Sequence, residues 1–155
     1  MKNIELVNKL INLNYRISFA ESCTGGMVCS SIVDVSDASK VLDMSFVTYA
    51  SEAKVSLLGV DALTIEQYGV VSEEVAYQMA TGVKTKAKSN IGVGITGIAG
   101  PNGGTIDKPV GMVCFGFAIN DDTYTFTKYF GDLDRTNVRL ESTKFVIEKL
   151  LELLD

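Results

Sequence analysis

Ile4, Leu6, Val7, Leu10, Ile11 and Leu13 recur at helical spacing, so the chain is expected to open with an amphipathic helix. Arg16 to Ala20 follows as a first strand, within the β-like run Ile17-Ser18-Phe19-Ala20-Glu21, and Thr24 to Val33 reads as a buried helix of small and apolar residues. Asp34 to Lys40 is polar and turn-rich. Asp43 to Ala50 reads as a second strand, Ser51 to Leu58 as a helix stopped by Gly59, and Ala62 to Gln67 as a further short helix.

The clearest helix begins at Ser72. Glu73 and Glu74 occupy its first turn and Lys84, Lys86 and Lys88 lie toward its end, matching the helix dipole at both termini. Ile91 to Thr96 is β-rich in the manner of a central strand, and Gly97 to Pro109 is a glycine-rich loop. Val110 to Ile119 and Thr123 to Phe130 form two strands around Asn120-Asp121-Asp122, a hairpin. Arg135 to Leu154 closes the chain as a helix with Val138, Phe145, Val146, Leu150 and Leu153 on one side. Helices and strands interleave early and a hairpin comes late, which predicts an α/β fold: a three-layer α/β/α sandwich with a mixed β-sheet. The length, 155 residues, fits one domain.

Composition changes this picture in two ways. The net charge of −5 argues against general affinity for nucleic acid or a membrane surface, while a few local cations suffice for a small anionic substrate. The chain has no histidine and its three cysteines, Cys23, Cys29 and Cys114, show no C-x-x-C spacing, so no metal site and no cofactor are expected. No apolar run is long enough to span a bilayer, and Met1 to Glu5 lacks the apolar core of a signal peptide, so the cytoplasm is the expected compartment. Exposed apolar helix faces on an acidic chain are compatible with a homo-oligomer.

The candidate chemistry starts at Ser22-Cys23-Thr24-Gly25-Gly26, at a strand-to-helix turn. Backbone N–H groups at a helix start favour negative charge, and glycines allow close approach of a ligand. Without histidine, a serine nucleophile needs a lysine or tyrosine as its base. The plainer alternative is that Ser22 or Thr24 caps the helix. Cys23 competes as nucleophile, because a helix N-terminus lowers a thiol pKa. Tyr49 and Lys54 bracket another strand-to-helix junction. Taken singly they read as a half-buried ring and a solvated amine; taken together with Ser22, a desolvated Lys54 is a base and Tyr49 a relay or orienting group.

Gly92-Val93-Gly94-Ile95-Thr96-Gly97 matches G-x-G-x-x-G, but its glycines fall inside a strand and no helix follows, so they are read as close-packing positions. The loop after it, with Thr96, Thr105 and Lys108, is a candidate phosphate nest. It lacks the ending of a P-loop. Ser51-Glu52-Ala53-Lys54 fits Ser-x-x-Lys, yet the companion motifs of that enzyme class are absent, and Ser51 is read as a helix N-cap.

These pieces together resemble one family. Ala20 to Gly26, Val47-Thr48-Tyr49 with Lys54, Gly69-Val70-Val71-Ser72, Thr96 to Pro101, and Gly103-Gly104-Thr105 with Lys108 to Gly111 are similar to the CinA C-terminal domain family, whose characterised members are nicotinamide-nucleotide amidohydrolases. The resemblance runs from Arg16 to the last helix. It implies hydrolysis of the carboxamide of nicotinamide mononucleotide (NMN) to nicotinate mononucleotide and ammonia, without a required metal. It places Ser22 at the nucleophile position and Tyr49 and Lys54 at the activating positions. The expected substrate-binding groups are Cys23, Thr24, Gly25 and Gly26 as oxyanion and close-approach positions, the loop residues Thr96, Gly97, Ala99, Gly100, Gly103, Gly104 and Thr105, and the cations Lys108, Arg135 and Arg139. The family's usual glycines ahead of the tyrosine strand are replaced here by Asp37-Ala38-Ser39 and Asp43-Met44-Ser45. Those changes keep open another small amide as substrate. The family's competence-associated name keeps open a non-catalytic nucleotide-binding role.

Overall fold

A computed structural model describes all residues, Met1–Asp155. The elements are α1 (Lys2–Leu13), β1 (Ile17–Glu21), α2 (Met27–Val33), β2 (Phe46–Val47), α3 (Ser51–Leu58), α4 (Ala62–Tyr68), α5 (Glu73–Ala87), β3 (Ile91–Gly97), β4 (Met112–Ile119), β5 (Asp122–Tyr129) and α6 (Arg135–Leu153), with a short 3-10 turn at Ala38–Lys40. They form one mixed sheet in the order β2-β1-β3-β4-β5. β1 runs parallel to both β2 and β3, while β4 and β5 are added antiparallel as a hairpin. Helices α1, α2 and α6 cover one face and α5 the other, with α3 and α4 against α5. The α/β/α sandwich and mixed sheet expected from the sequence are found.

The main core lies under α1, α2 and α6. Leu6, Val7 and Leu10 of α1 meet Val138, Val146 and Leu150 of α6 over Phe19, Val93, Phe115 and Phe117 of the sheet. The opposite face is built differently. A Cβ placed on Gly92, Gly94 or Gly116 would lie 2.3, 2.6 or 2.3 Å from a carbonyl oxygen of α5, so these positions let the helix backbone sit directly on the sheet. The glycines of the apparent dinucleotide motif are therefore packing positions, as their place inside a strand predicts.

Two boundaries and one cap differ most from the expected ones. Helix α2 starts at Met27 rather than Thr24, because Gly25 and Gly26 adopt left-handed φ values of 58° and 99°. The strand expected over Asp43 to Ala50 shrinks to Phe46–Val47: Phe19 N–H donates to the Ser45 hydroxyl (3.1 Å) instead of a strand carbonyl, and Asp43 turns out to pair with Arg16. The N-cap of α3 is Ala50, not Ser51, and no side chain caps it. Ser72 caps α5 as expected, accepting from Val75 N–H at 3.2 Å.

Candidate functional site

Three parallel strands end at one edge of the sheet, the usual place for a ligand cleft in an open α/β fold. The chain after β1 carries Ser22, that after β2 carries Thr48 and Tyr49, and β3 ends with Thr96 and Gly97. Two main-chain bonds prolong the ladders past the strands: Ser22 N–H donates to Ile95 O (3.0 Å) and Thr48 N–H to Glu21 O (2.9 Å). The serine is thus pinned to the sheet rather than carried on a free loop.

Lys54 reaches this point from the first turn of α3 and is fully buried. Its Nζ lies 3.1 Å from Ser22 Oγ and donates to Thr48 O (2.6 Å) and Tyr49 O (3.1 Å). As an ammonium Lys54 donates to Ser22 Oγ and to both carbonyls; a neutral amine keeps two N–H bonds for the carbonyls and has one lone pair left for the serine proton. Burial strips water from the ammonium and lowers the Lys54 pKa from 10.5 to about 8, with the buried Cys23 a lesser opposing influence. The solvated-lysine alternative is excluded by this burial, and Ser22 bonds no α2 amide, so it is no helix cap.

Cys23 is corrected as a nucleophile candidate. Desolvation pushes its thiol up to about 12, overriding the lowering effect of its backbone contact and of Arg139, so it stays protonated at neutral pH. Tyr49 also differs from expectation. It orients the pair through its main-chain carbonyl, which accepts from Lys54 and, at 3.5 Å, from Ser22 Oγ. Its phenol faces the cleft mouth and accepts from Arg135 Nη2 at 3.0 Å.

The cleft has a volume of about 190 Å³ and is walled by Ser22, Cys23, Tyr49, Lys54, Thr96 and Arg135 among others. That is less than the roughly 300–1,000 Å³ of pockets that enclose whole drug-sized ligands, so a larger ligand would extend past the cleft mouth. Gly97 and Ala99 line it, together with Ser51, Val70 and Val71, which the sequence reading missed. Arg135 spans the mouth, its Nη1 donating to Gly100 O at 2.7 Å.

The rest of the glycine loop does not form the expected phosphate nest. Thr96 Oγ1 donates to Val70 O (2.9 Å), and Thr105 closes a turn with Lys108, donating its N–H to Lys108 O (2.8 Å) and accepting from Lys108 N–H (3.1 Å). Gly103, Gly104 and Thr105 are exposed and outside the cleft. Lys108 is corrected as a substrate cation, because its ammonium donates to Tyr68 O and to Val71 O (2.6 Å) and straps the loop to the α4–α5 junction. Arg139 is corrected likewise: its guanidinium donates to Cys23 O (2.9 Å) and Thr24 O (3.1 Å).

Glu21 was not singled out by the sequence reading, although a lone carboxylate ending an apolar strand signals a buried charge that needs donors. It is 1% exposed, and its carboxylate accepts from Gly26 (3.2 Å), Val28 (3.0 Å) and Cys29 (2.9 Å) N–H. The start of α2, expected to attract substrate charge, is occupied by this side chain. The altered segment from Asp37 to Ser45 does not line the cleft.

Comparison with known proteins agrees with this architecture. Residues 2–154 match the model of the CinA C-terminal domain. A protein named nicotinamide-nucleotide amidohydrolase PncC from Enterobacter agglomerans is 42% identical over 149 residues, covering 96% of this chain and 91% of that protein. A CinA-like protein of Petrotoga mobilis is 44% identical over 97% of this chain, which spans only 37% of it. Among solved structures, a competence or damage-inducible protein from Enterobacter asburiae superposes with a TM-score of 0.96 at 33% identity, over 99% of this chain and 96% of that one. The competence/damage inducible protein CihA from Agrobacterium tumefaciens gives 0.93 at 36% identity, over 100% and 97%. With the motifs, the fold and the matched span in agreement, the chain belongs to the CinA C-terminal domain family.

Proposed function

We propose that this protein is an NMN amidohydrolase that uses Ser22 as nucleophile and Lys54 as general base. The observation that carries the reading is the Lys54 amine 3.1 Å from Ser22 Oγ, buried and with its N–H groups held by two carbonyls. A relative that is 42% identical and carries the amidohydrolase name supports the substrate.

Neutral Lys54 takes the Ser22 proton as Oγ attacks the carboxamide carbon. The oxyanion is held by main-chain N–H groups of the Ser22–Gly25 turn, where such donors are worth about 10²–10³ in rate. The tetrahedral intermediate collapses as Lys54 returns the proton to the amine, ammonia leaves, and an acyl-Ser22 remains. Water, deprotonated by Lys54, then attacks the acyl carbon and releases nicotinate mononucleotide with Ser22 restored. No metal or cofactor takes part. The pyridine ring enters the cleft, and the ribose phosphate lies outside near Arg135, the cation at its mouth. The cytoplasm is the compartment we assign to the reaction.

The test is ammonia release from NMN in EDTA by the wild type and Ser22→Ala. Turnover abolished in the variant supports the reading, and turnover that survives removes Ser22 from it. A folded wild type inert on NMN but active on another amide, or binding nucleotide without turnover, would replace NMN hydrolysis by that activity.

A further inference from the structure

Most main-chain N–H groups from Ser22 to Cys29 have an acceptor within the fold. Ser22 donates to Ile95 O, Gly25 to Ser22 O, Met27 to Thr24 O, and Gly26, Val28 and Cys29 to the Glu21 carboxylate. Only Cys23 and Thr24 N–H are left without an oxygen acceptor. Of the two, Cys23 lines the cleft beside the nucleophile. The carbonyls of the same two residues are the ones held by Arg139.

A trans peptide points its C=O and the following N–H in opposite directions. Arg139 Nε on Cys23 O therefore turns Thr24 N–H away from α6, and Nη2 on Thr24 O turns Gly25 N–H toward its bond with Ser22 O. The same Ser22 carbonyl sets the plane that carries Cys23 N–H. A cation on a carbonyl also polarises that amide, making its N–H a stronger donor. On the other side, the Glu21 carboxylate engages the later N–H groups, keeping α2 from unwinding into the turn and a substrate anion from docking at the helix start.

We propose that Glu21 and Arg139 are positioning residues that clamp the nucleophile turn from opposite sides and hold the Cys23 and Thr24 N–H groups open as the oxyanion donors. Neither side chain touches the substrate. This inference rests on the amidohydrolase reading for its reaction, but its geometry is independent of which amide is cleaved.

The experiment compares wild type, Glu21→Gln, Arg139→Met, Arg139→Lys and Arg139→Ala by kcat and KM for NMN, with thermal unfolding to establish folding. Glu21→Gln and Arg139→Met are expected to lower kcat about 10²-fold while KM stays within about threefold. Arg139→Lys, which keeps a cationic donor, is expected to retain about ten times more activity than Arg139→Met. The midpoint of the pH–rate profile should not move, because Lys54 is intact, and guanidinium ion should restore part of the activity of Arg139→Ala. A merely structural role would leave kcat per folded molecule unchanged. That result, a loss confined to KM, or a moved midpoint overturns the proposal.

The second probe is 3-pyridylboronic acid, whose adduct with Ser22 places a boron-bound oxygen at the oxyanion position. If the wild type is inert on NMN but binds the boronate, and the folded variants bind it at least tenfold more weakly, the clamp stands and the NMN reading fails. Equal boronate binding by wild type and variants overturns the clamp. If the wild type neither turns over NMN nor binds the boronate, both readings fall.

Discussion

Two glycine-bearing segments border the cleft, and they behave in opposite ways. The turn from Ser22 to Gly26 is held by side chains from outside itself, Glu21 from the preceding strand and Arg139 from α6, and it leaves Cys23 and Thr24 N–H without an oxygen acceptor. The loop from Ile98 to Gly111 uses its polar groups on neighbouring main chain: Lys108 on Tyr68 and Val71 carbonyls, Thr105 on Lys108, Gly111 N–H on Ile98 O. Glycine permits both arrangements. What distinguishes a binding segment is which donors remain free once the fold has satisfied its own carbonyls.

The sharpest way to break this contrast is at the pair the turn presents. Ser22→Ala and Lys54→Met should each lower ammonia release from NMN by at least about 10³-fold, since each removes a partner of the same proton transfer. Residual turnover above a tenth of wild type in either would detach catalysis from the turn.

Gly94→Ala tests the floor beneath both segments. Its methyl would meet Ala76 O at 2.6 Å and the Met79 Cβ at 2.7 Å, lifting α5 from the sheet, so a loss of about 2–3 kcal/mol in denaturant unfolding is expected. A variant as stable as wild type would show that α5 yields easily there.

The loop is tested through its lysine. Lys108→Met leaves the Tyr68 and Val71 carbonyls without this donor, and about 1–2 kcal/mol of stability should go with it, while KM for NMN changes less than threefold. A tenfold rise in KM with stability intact would return Lys108 to the substrate. Arg135→Ala, at the mouth, is expected to do the reverse: KM higher by about tenfold, stability nearly unchanged.

The smallest effect concerns pH. With Lys54 lowered to about 8 by burial, about a tenth of the amine is neutral at pH 7, and kcat/KM should rise with pH and level off above about 9. Stability has its own window. Between about 8 and 10.5 the unfolded chain holds the Lys54 proton that the folded chain has lost, so stability rises with pH across that interval. Lys54→Met should remove that part of the slope in urea unfolding series.

Much of this was legible beforehand because it depends on local pattern. The periodicity of α1 and α6, the Ser72 cap with its flanking charges, and the hairpin at Asn120 need only neighbours in sequence, and all are present. The strand-to-helix turn at Ser22 pointed to a nucleophile, the absence of histidine narrowed its base to a lysine or tyrosine, and the family resemblance singled out Lys54 and Tyr49. The weak points were those where a distant side chain replaces a local partner. Ser45 on Phe19 N–H cuts β2 short, and at the start of α2, delayed by the left-handed Gly25 and Gly26, Glu21 takes the N–H groups of Gly26, Val28 and Cys29.

By itself, then, the amino-acid order determined most of the helices and strands and the chemistry on offer, because periodicity, capping and residue type act over a few positions. Only the tertiary structure decided how three cations divide their roles. Lys108 and Arg139 bond main-chain carbonyls, whereas Arg135 stands at the cleft mouth. It also decided that Lys54 is buried against Ser22. A guanidinium or ammonium serves whatever acceptor the fold brings within about 3 Å, and sequence spacing does not carry that distance.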